Sequence, residues 1–132
     1  MKIILDGIGE LEEKYSMYYK SIELSFLGTV VTGLLKFNCI ETDGAITDNQ
    51  VRSFHAYQNH IDILNTSLEN ALREYRNENH IDSSETVRVS SVEFSANKSY
   101  LFIDVSWDSE QGMVAIFDEK YHVILEEADS FL

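Results

Sequence analysis

The chain's single tryptophan stands among three carboxylates in Asp104-Val105-Ser106-Trp107-Asp108-Ser109-Glu110-Gln111-Gly112. Carboxylate oxygens are hard ligands, and calcium or magnesium gathers several of them. Asp104, Asp108 and Glu110, joined by Asp118, are therefore candidate metal ligands. Their spacing differs from that of an EF-hand loop, which carries more oxygen donors ahead of its final glutamate. The same acids could instead divide general acid and general base work, which needs opposed pKa shifts within one cleft. A third reading makes Trp107, Asp108 and Glu110 a partner-facing loop, because tryptophan is enriched at binding hot spots. In the purely architectural reading, Trp107 anchors a strand end and Asp108 accepts backbone amides across a turn. Gly112 then takes a dihedral that a side chain would forbid.

The remaining reactive side chains form no set. His55 and His60 lie five apart, off the i,i+4 spacing that puts two ligands on one helix face, while His80 falls in a polar loop and His122 in a late strand. No H-E-x-x-H occurs, and Cys39 has no second cysteine with which to build a zinc site. A nucleophilic thiol needs a nearby base and a lowered pKa. Cys39, on the apolar parity of a strand, reads instead as a small buried hydrophobe. The serines lack a G-x-S-x-G setting. Gly7 and Gly9 make only a G-x-G fragment, with no phosphate-cradling loop around it. No catalytic residue and no cofactor is expected.

The elements that must position these residues are legible in part. Residues 18–27 alternate, with Ile22, Leu24 and Phe26 on one parity and Ser21, Glu23 and Ser25 on the other. That is a strand with one buried face. After Gly28, residues 30–40 place Val31, Leu35, Phe37 and Cys39 together, which completes a hairpin. Gly33 within it marks a bulge or a close neighbour. Thr47 followed by Gln50 predicts a capped helix start. Val51, Phe54 and Tyr57, then Ile61, Leu64, Leu68, Leu72 and Tyr75, repeat at helical spacing. A break near Asn59-His60 divides residues 48–76 into two helices. Strands are expected at 86–94 and 100–107, and a hairpin joins 114–117 to 121–125 around Asp118-Glu119-Lys120. The order β-β-α-α-β-β-β-β predicts an α+β fold, an antiparallel sheet of about five to six strands with two consecutive helices on one face.

Length bounds the rest. A chain of 132 residues suggests one domain over 1–132 and can bury a core without a metal or disulfide. One cysteine and no proline point to a reducing compartment and to turns built from Gly, Asn, Asp and Ser. The short Ile3-Ile4-Leu5 run is no signal-peptide core, and no stretch has the length of a membrane span. A cytoplasmic protein is expected. The 23 acidic residues against 10 Lys and Arg give a net charge of −13, which disfavours nucleic acid and favours a basic protein.

Three segments carry a resemblance: Leu24-Ser25-Phe26-Leu27-Gly28, Ile46-Thr47-Asp48-Asn49-Gln50, and Trp107-Asp108-Ser109-Glu110-Gln111-Gly112. In order and spacing the chain resembles a family of small acidic bacterial proteins with a carboxyl-terminal Trp-Asp-x-Glu-His-Gly motif. Gln111 stands where that pattern has His, and Ser25 where it has Pro. Some members of the family resemble immunity proteins encoded beside secreted toxins. The resemblance thus implies a binding protein, in its finest form one that neutralises a basic bacterial toxin, and carries over no catalytic residue. Two alternatives stand beside it. One is a metal-binding protein or enzyme using the Asp104–Asp118 carboxylates. The other is an accessory domain that forms a homodimer.

Overall fold

The computed structural model describes residues 1–128. Four strands lead: β1 (Lys2–Leu5), β2 (Gly9–Lys14), β3 (Met17–Phe26) and β4 (Thr29–Asn38). A 3-10 turn at Ile40–Thr42 precedes helices α1 (Asp48–Asn59) and α2 (Ile61–Glu78). Four more strands follow: β5 (Val87–Phe94), β6 (Ser99–Val105), β7 (Asp108–Phe117) and β8 (Val123–Glu127). Among the described residues these strands form one eight-stranded sheet whose spatial order is the sequence order.

The α+β class and the helices on one face stand as expected, but the sheet differs from the expectation of five to six antiparallel strands. Two early strands were missed. A short edge strand such as β1, and a glutamate-rich strand such as β2 inside the sheet, both suppress the alternation that reveals a strand. β1 has four residues, and β2, Gly-Glu-Leu-Glu-Glu-Lys, buries only Leu11 fully. Nor is the sheet wholly antiparallel. β4 and β5 run parallel, Leu34 opposite Ser91 through Phe37 opposite Phe94, while the other neighbours are antiparallel. Parallel neighbours need a long crossover, and α1 followed by α2 supplies it.

The crossover is held at its start by one side chain. Thr47 Oγ1 accepts from the Gln50 amide at 3.2 Å, and Gln50 Oε1 accepts from the Thr47 amide at 2.9 Å. This closes the capping box that Thr47 and Gln50 predict. Gln50 is also fully buried, and its Nε2 donates to the carbonyls of Asn38 at 2.8 Å and Phe94 at 3.0 Å. One amide therefore caps α1 and joins the last carbonyls of the two parallel strands. The break at His60 separates the helices as expected.

Aromatic rings fill the space beneath α1. Phe54 meets Phe37 and Phe94 edge-on at 6.1 and 5.9 Å, and Tyr57 meets Phe94 at 5.7 Å and Phe117 at 6.3 Å. Leu64, Leu68 and Leu72 extend the same core beneath α2. Asn65 on α2 accepts from the Leu27 amide at 2.9 Å and ties the β3–β4 turn to the helix.

Two glycines answer to backbone in close approach. A Cβ at Gly33 would collide with the Ser90 carbonyl of β5 and the Leu24 side chain. The close neighbour that Gly33 suggests is thus the bulged residue of β5, whose register shifts between Val89 and Ser91. That shift lets Val89 before it and Val92 and Phe94 after it all face the helices and be buried. Gly112 has φ +70°, and its Cβ would stand 2.5 Å from the Ile103 carbonyl.

Replacing Gln50 with alanine removes the return arm of the capping box and leaves two buried carbonyls unpaired. Gln50→Ala should lower unfolding free energy by about 3 kcal/mol. Urea denaturation monitored by circular dichroism checks this, and a change of a few tenths would contradict the role given to the amide.

Candidate functional site

The segment that carries the tryptophan is less of a loop than its composition suggests. β6 ends at Val105 and β7 begins at Asp108, so only Ser106 and Trp107 form the turn. The expected strand at 100–107 is therefore shorter, and the one expected at 114–117 starts six residues earlier. The Asp108 carboxylate accepts from the Gln111 amide at 3.2 Å.

Trp107 is half-buried and stacks on Tyr75 of α2, with ring centroids 6.3 Å apart and planes 23° from parallel. The Arg76 guanidinium stands 5.2 Å over the indole. Arg76 also donates to the Asp82 carbonyl at 3.1 Å and the Glu85 carbonyl at 2.9 Å, tying the 82–85 segment to the end of α2. Acids lie near this stack. Burial pushes the Tyr75 hydroxyl above its usual pKa, and the charges of Glu127 and Asp108 push in the same direction. The Glu85 carboxylate accepts from Ser106 Oγ, Asp104 pairs with Arg88 at 2.9 Å, and Glu110 is exposed on β7. The exposed Arg88–Asp104 pair stabilises little by itself.

Asp118 belongs elsewhere. Its carboxylate accepts from the amides of Lys120 and His122, both at 2.9 Å, and faces His122 Nδ1 at 3.2 Å. The His122 amide bond is the largest cause holding its pKa below the ordinary value. Ser99 lies opposite Phe117 and Ile103 opposite Met113, so Asp104 and Asp118 mark opposite ends of the β6–β7 pair. At ~3.4 Å per residue the separation is roughly 20 Å. The four carboxylates proposed as metal ligands are thus not brought together. Among the described residues no three His, Cys, Asp or Glu side chains are grouped as a metal ion would require. Cys39 is buried, and desolvation raises its thiol pKa.

A second feature lies at the opposite end of the sheet. Beyond the carboxyl ends of β4 and β5 a cavity of about 380 Å³ is lined by Asn38, Ile40, Glu41, Glu93, Lys98 and Tyr100, with residues 95–97 of the turn. Glu93 projects on the sheet face away from the helices and is only 7% exposed. Among the described residues the buried polar side chains are Gln50, Ser91 and Glu93. Gln50 is saturated with hydrogen bonds, whereas the Glu93 carboxylate receives a single long one, 3.5 Å from Asn38 Nδ2. Lys36 is its direct partner across β4–β5, yet the Lys36 ammonium lies 4.8 Å over the Phe102 ring. The ion pairs among the described residues are Lys2–Glu10, Arg88–Asp104 and His122–Asp118, none of which involves Glu93. Burial pushes the Glu93 carboxyl above its ordinary pKa, and the nearby Lys36 charge and the Asn38 bond only partly oppose that push.

Sequence reasoning passed over Glu93. Its one signal was an acid between Val92 and Phe94, and alternation assigns such a residue to solvent. Its burial arises from the neighbouring strands, which local pattern does not report. Comparison with family models, with curated proteins and with solved structures finds no match for the chain.

A buried carboxyl whose pKa is raised on folding favours its protonated form in the native state. The stability it contributes is complete below the unfolded value, near 4.5, and is lost as pH rises through the folded value. Glu93→Gln keeps the shape and removes the charge. The variant should melt higher than the parent at neutral pH, with the advantage disappearing below about pH 4. Calorimetric melting across that range checks it. A lower melting temperature for the variant at neutral pH would show that the charged form is favoured.

Proposed function

We propose that this chain is a binding protein for a basic protein partner and that the Trp107 end of the sheet is its contact surface. The single observation that carries the reading is the half-buried Trp107–Tyr75 stack, with the charges of Glu127 and Asp108 acting on Tyr75 and Glu85 bonded to Ser106 of the same turn. An aromatic pair offers a large contact area at low conformational cost, and flanking acids steer a cationic partner toward it. The net charge of −13 supports the same partner chemistry at long range.

In its finer form the reading is an immunity role: the chain blocks a basic bacterial toxin by occluding part of its surface. The resemblance of the Trp107–Gly112 segment to a motif of small acidic bacterial proteins supports this form. Inhibition by occlusion needs no catalytic group in the inhibitor, only a complementary surface.

The test is affinity capture of a basic partner at low and at high salt, repeated with Trp107→Ala and with the paired change Asp108→Asn and Glu110→Gln. Loss of the indole should weaken binding by about 2 kcal/mol, seen as faster dissociation. Loss of the two charges should mainly slow association and flatten its salt dependence. Retention of the same protein by the parent and both variants alike would contradict this surface. Capture of nothing beyond salt-labile background would contradict the function. Concentration-dependent dimerisation in sedimentation, abolished by Trp107→Ala, would assign the same surface to a second copy of the chain.

A further inference from the structure

A glutamate nearly removed from water is ordinarily paired with a cation or saturated with donors. Glu93 has neither, and it forms part of a cavity wall. Its strand neighbour Lys36, the cation best placed by register to neutralise it, is drawn over Phe102. A carboxylate offers about four acceptor positions, and a single long bond leaves most of them open. The surroundings are those of a recognition pocket. Glu41 adds a second acid, Asn38 an amide, and Tyr100 and Ile40 aromatic and aliphatic walls. Lys98 is the one cation among the lining residues. A volume of about 380 Å³ lies within the range of small-ligand sites. The cavity lies where β4 passes into the 3-10 turn and β5 into the 95–98 turn that leads to β6.

We propose that this cavity binds an organic cation bearing N–H donors, a guanidinium or primary ammonium group, with Glu93 as its counter-ion. The cation supplies the charge-assisted hydrogen bonds that the carboxylate otherwise lacks, and the aromatic wall stabilises its positive charge. Bound cation favours ionised Glu93, so ligation offsets the cost of holding that carboxyl away from water. This site lies at the opposite end of the sheet from Trp107 and stands or falls independently of the surface there.

The test is calorimetric titration of the full chain with agmatine and, separately, with N-acetyl-arginine methylamide. Binding of either in the millimolar range or tighter is expected, weakened about tenfold or more in Glu93→Gln. Glu119→Gln, an exposed acid outside the lining, should bind as the parent does. Stronger binding of agmatine identifies a free small cation as the ligand, and stronger binding of the capped residue identifies a peptide side chain; each supports the site. No heat from either probe, or equal affinity in the parent and Glu93→Gln, overturns the proposal. The melting temperature of Glu93→Gln, measured alongside, separates loss of the site from loss of the fold.

Discussion

The buried amide of Gln50 is the constraint on which the arrangement depends. Two parallel strands end beside each other at Asn38 and Phe94, and each presents a carbonyl to the interior. Buried carbonyls demand donors, and a chain leaving the sheet there has no next strand to provide them. Gln50 donates both hydrogens of its amide to those carbonyls and turns its oxygen to the start of α1. The helix that must carry the chain back across the sheet is thereby fastened to the point from which it departs. An apolar residue of equal volume would fill the space and leave the strand ends unsatisfied.

From that junction the sheet acquires two dissimilar ends. At the carboxyl ends of β4 and β5 the chain diverges, opening the cavity beside Glu93. At the other end α2 arrives with Tyr75 and Arg76, which meet Trp107 in the β6–β7 turn. The acids are deployed differently at each. Around Trp107 they are largely exposed or engaged in turns and weak pairs, so they shape a field at little cost to the fold. Glu93 is held in a low-dielectric setting where its charge is disfavoured.

Much of the fold was legible because local pattern and tertiary role agree there. Leu24 and Phe26 alternate in a strand whose burial alternates, and Thr47 with Gln50 spells a capping box that forms. The break at His60 could be placed from length, since one unbroken helix over residues 48–76 is long for a domain of this size. Legibility failed where burial is decided by neighbours distant in sequence. β2 offers a single deeply buried leucine among glutamates, so no periodicity announces it. The parallel pairing of β4 with β5 depends on where two helices deliver the chain, which neither strand encodes. Glu93 sits at an outward parity yet is enclosed by adjacent strands, and the second role of Gln50 lies beyond its helix. The four acids at 104, 108, 110 and 118 are close in sequence, but β7 runs between the last two and carries Asp118 away.

Trp107 is the chain's only indole, so its fluorescence reports on the central claim with no label. A solvent-accessible ring in a negative field would draw a basic partner. Quenching by caesium and by iodide, each normalised to free N-acetyl-tryptophanamide, measures accessibility and the sign of that field together. Caesium should quench more efficiently than iodide at low ionic strength, with the difference shrinking as salt is added. Preferential quenching by iodide, or a ring that neither ion nor neutral acrylamide reaches, would contradict it.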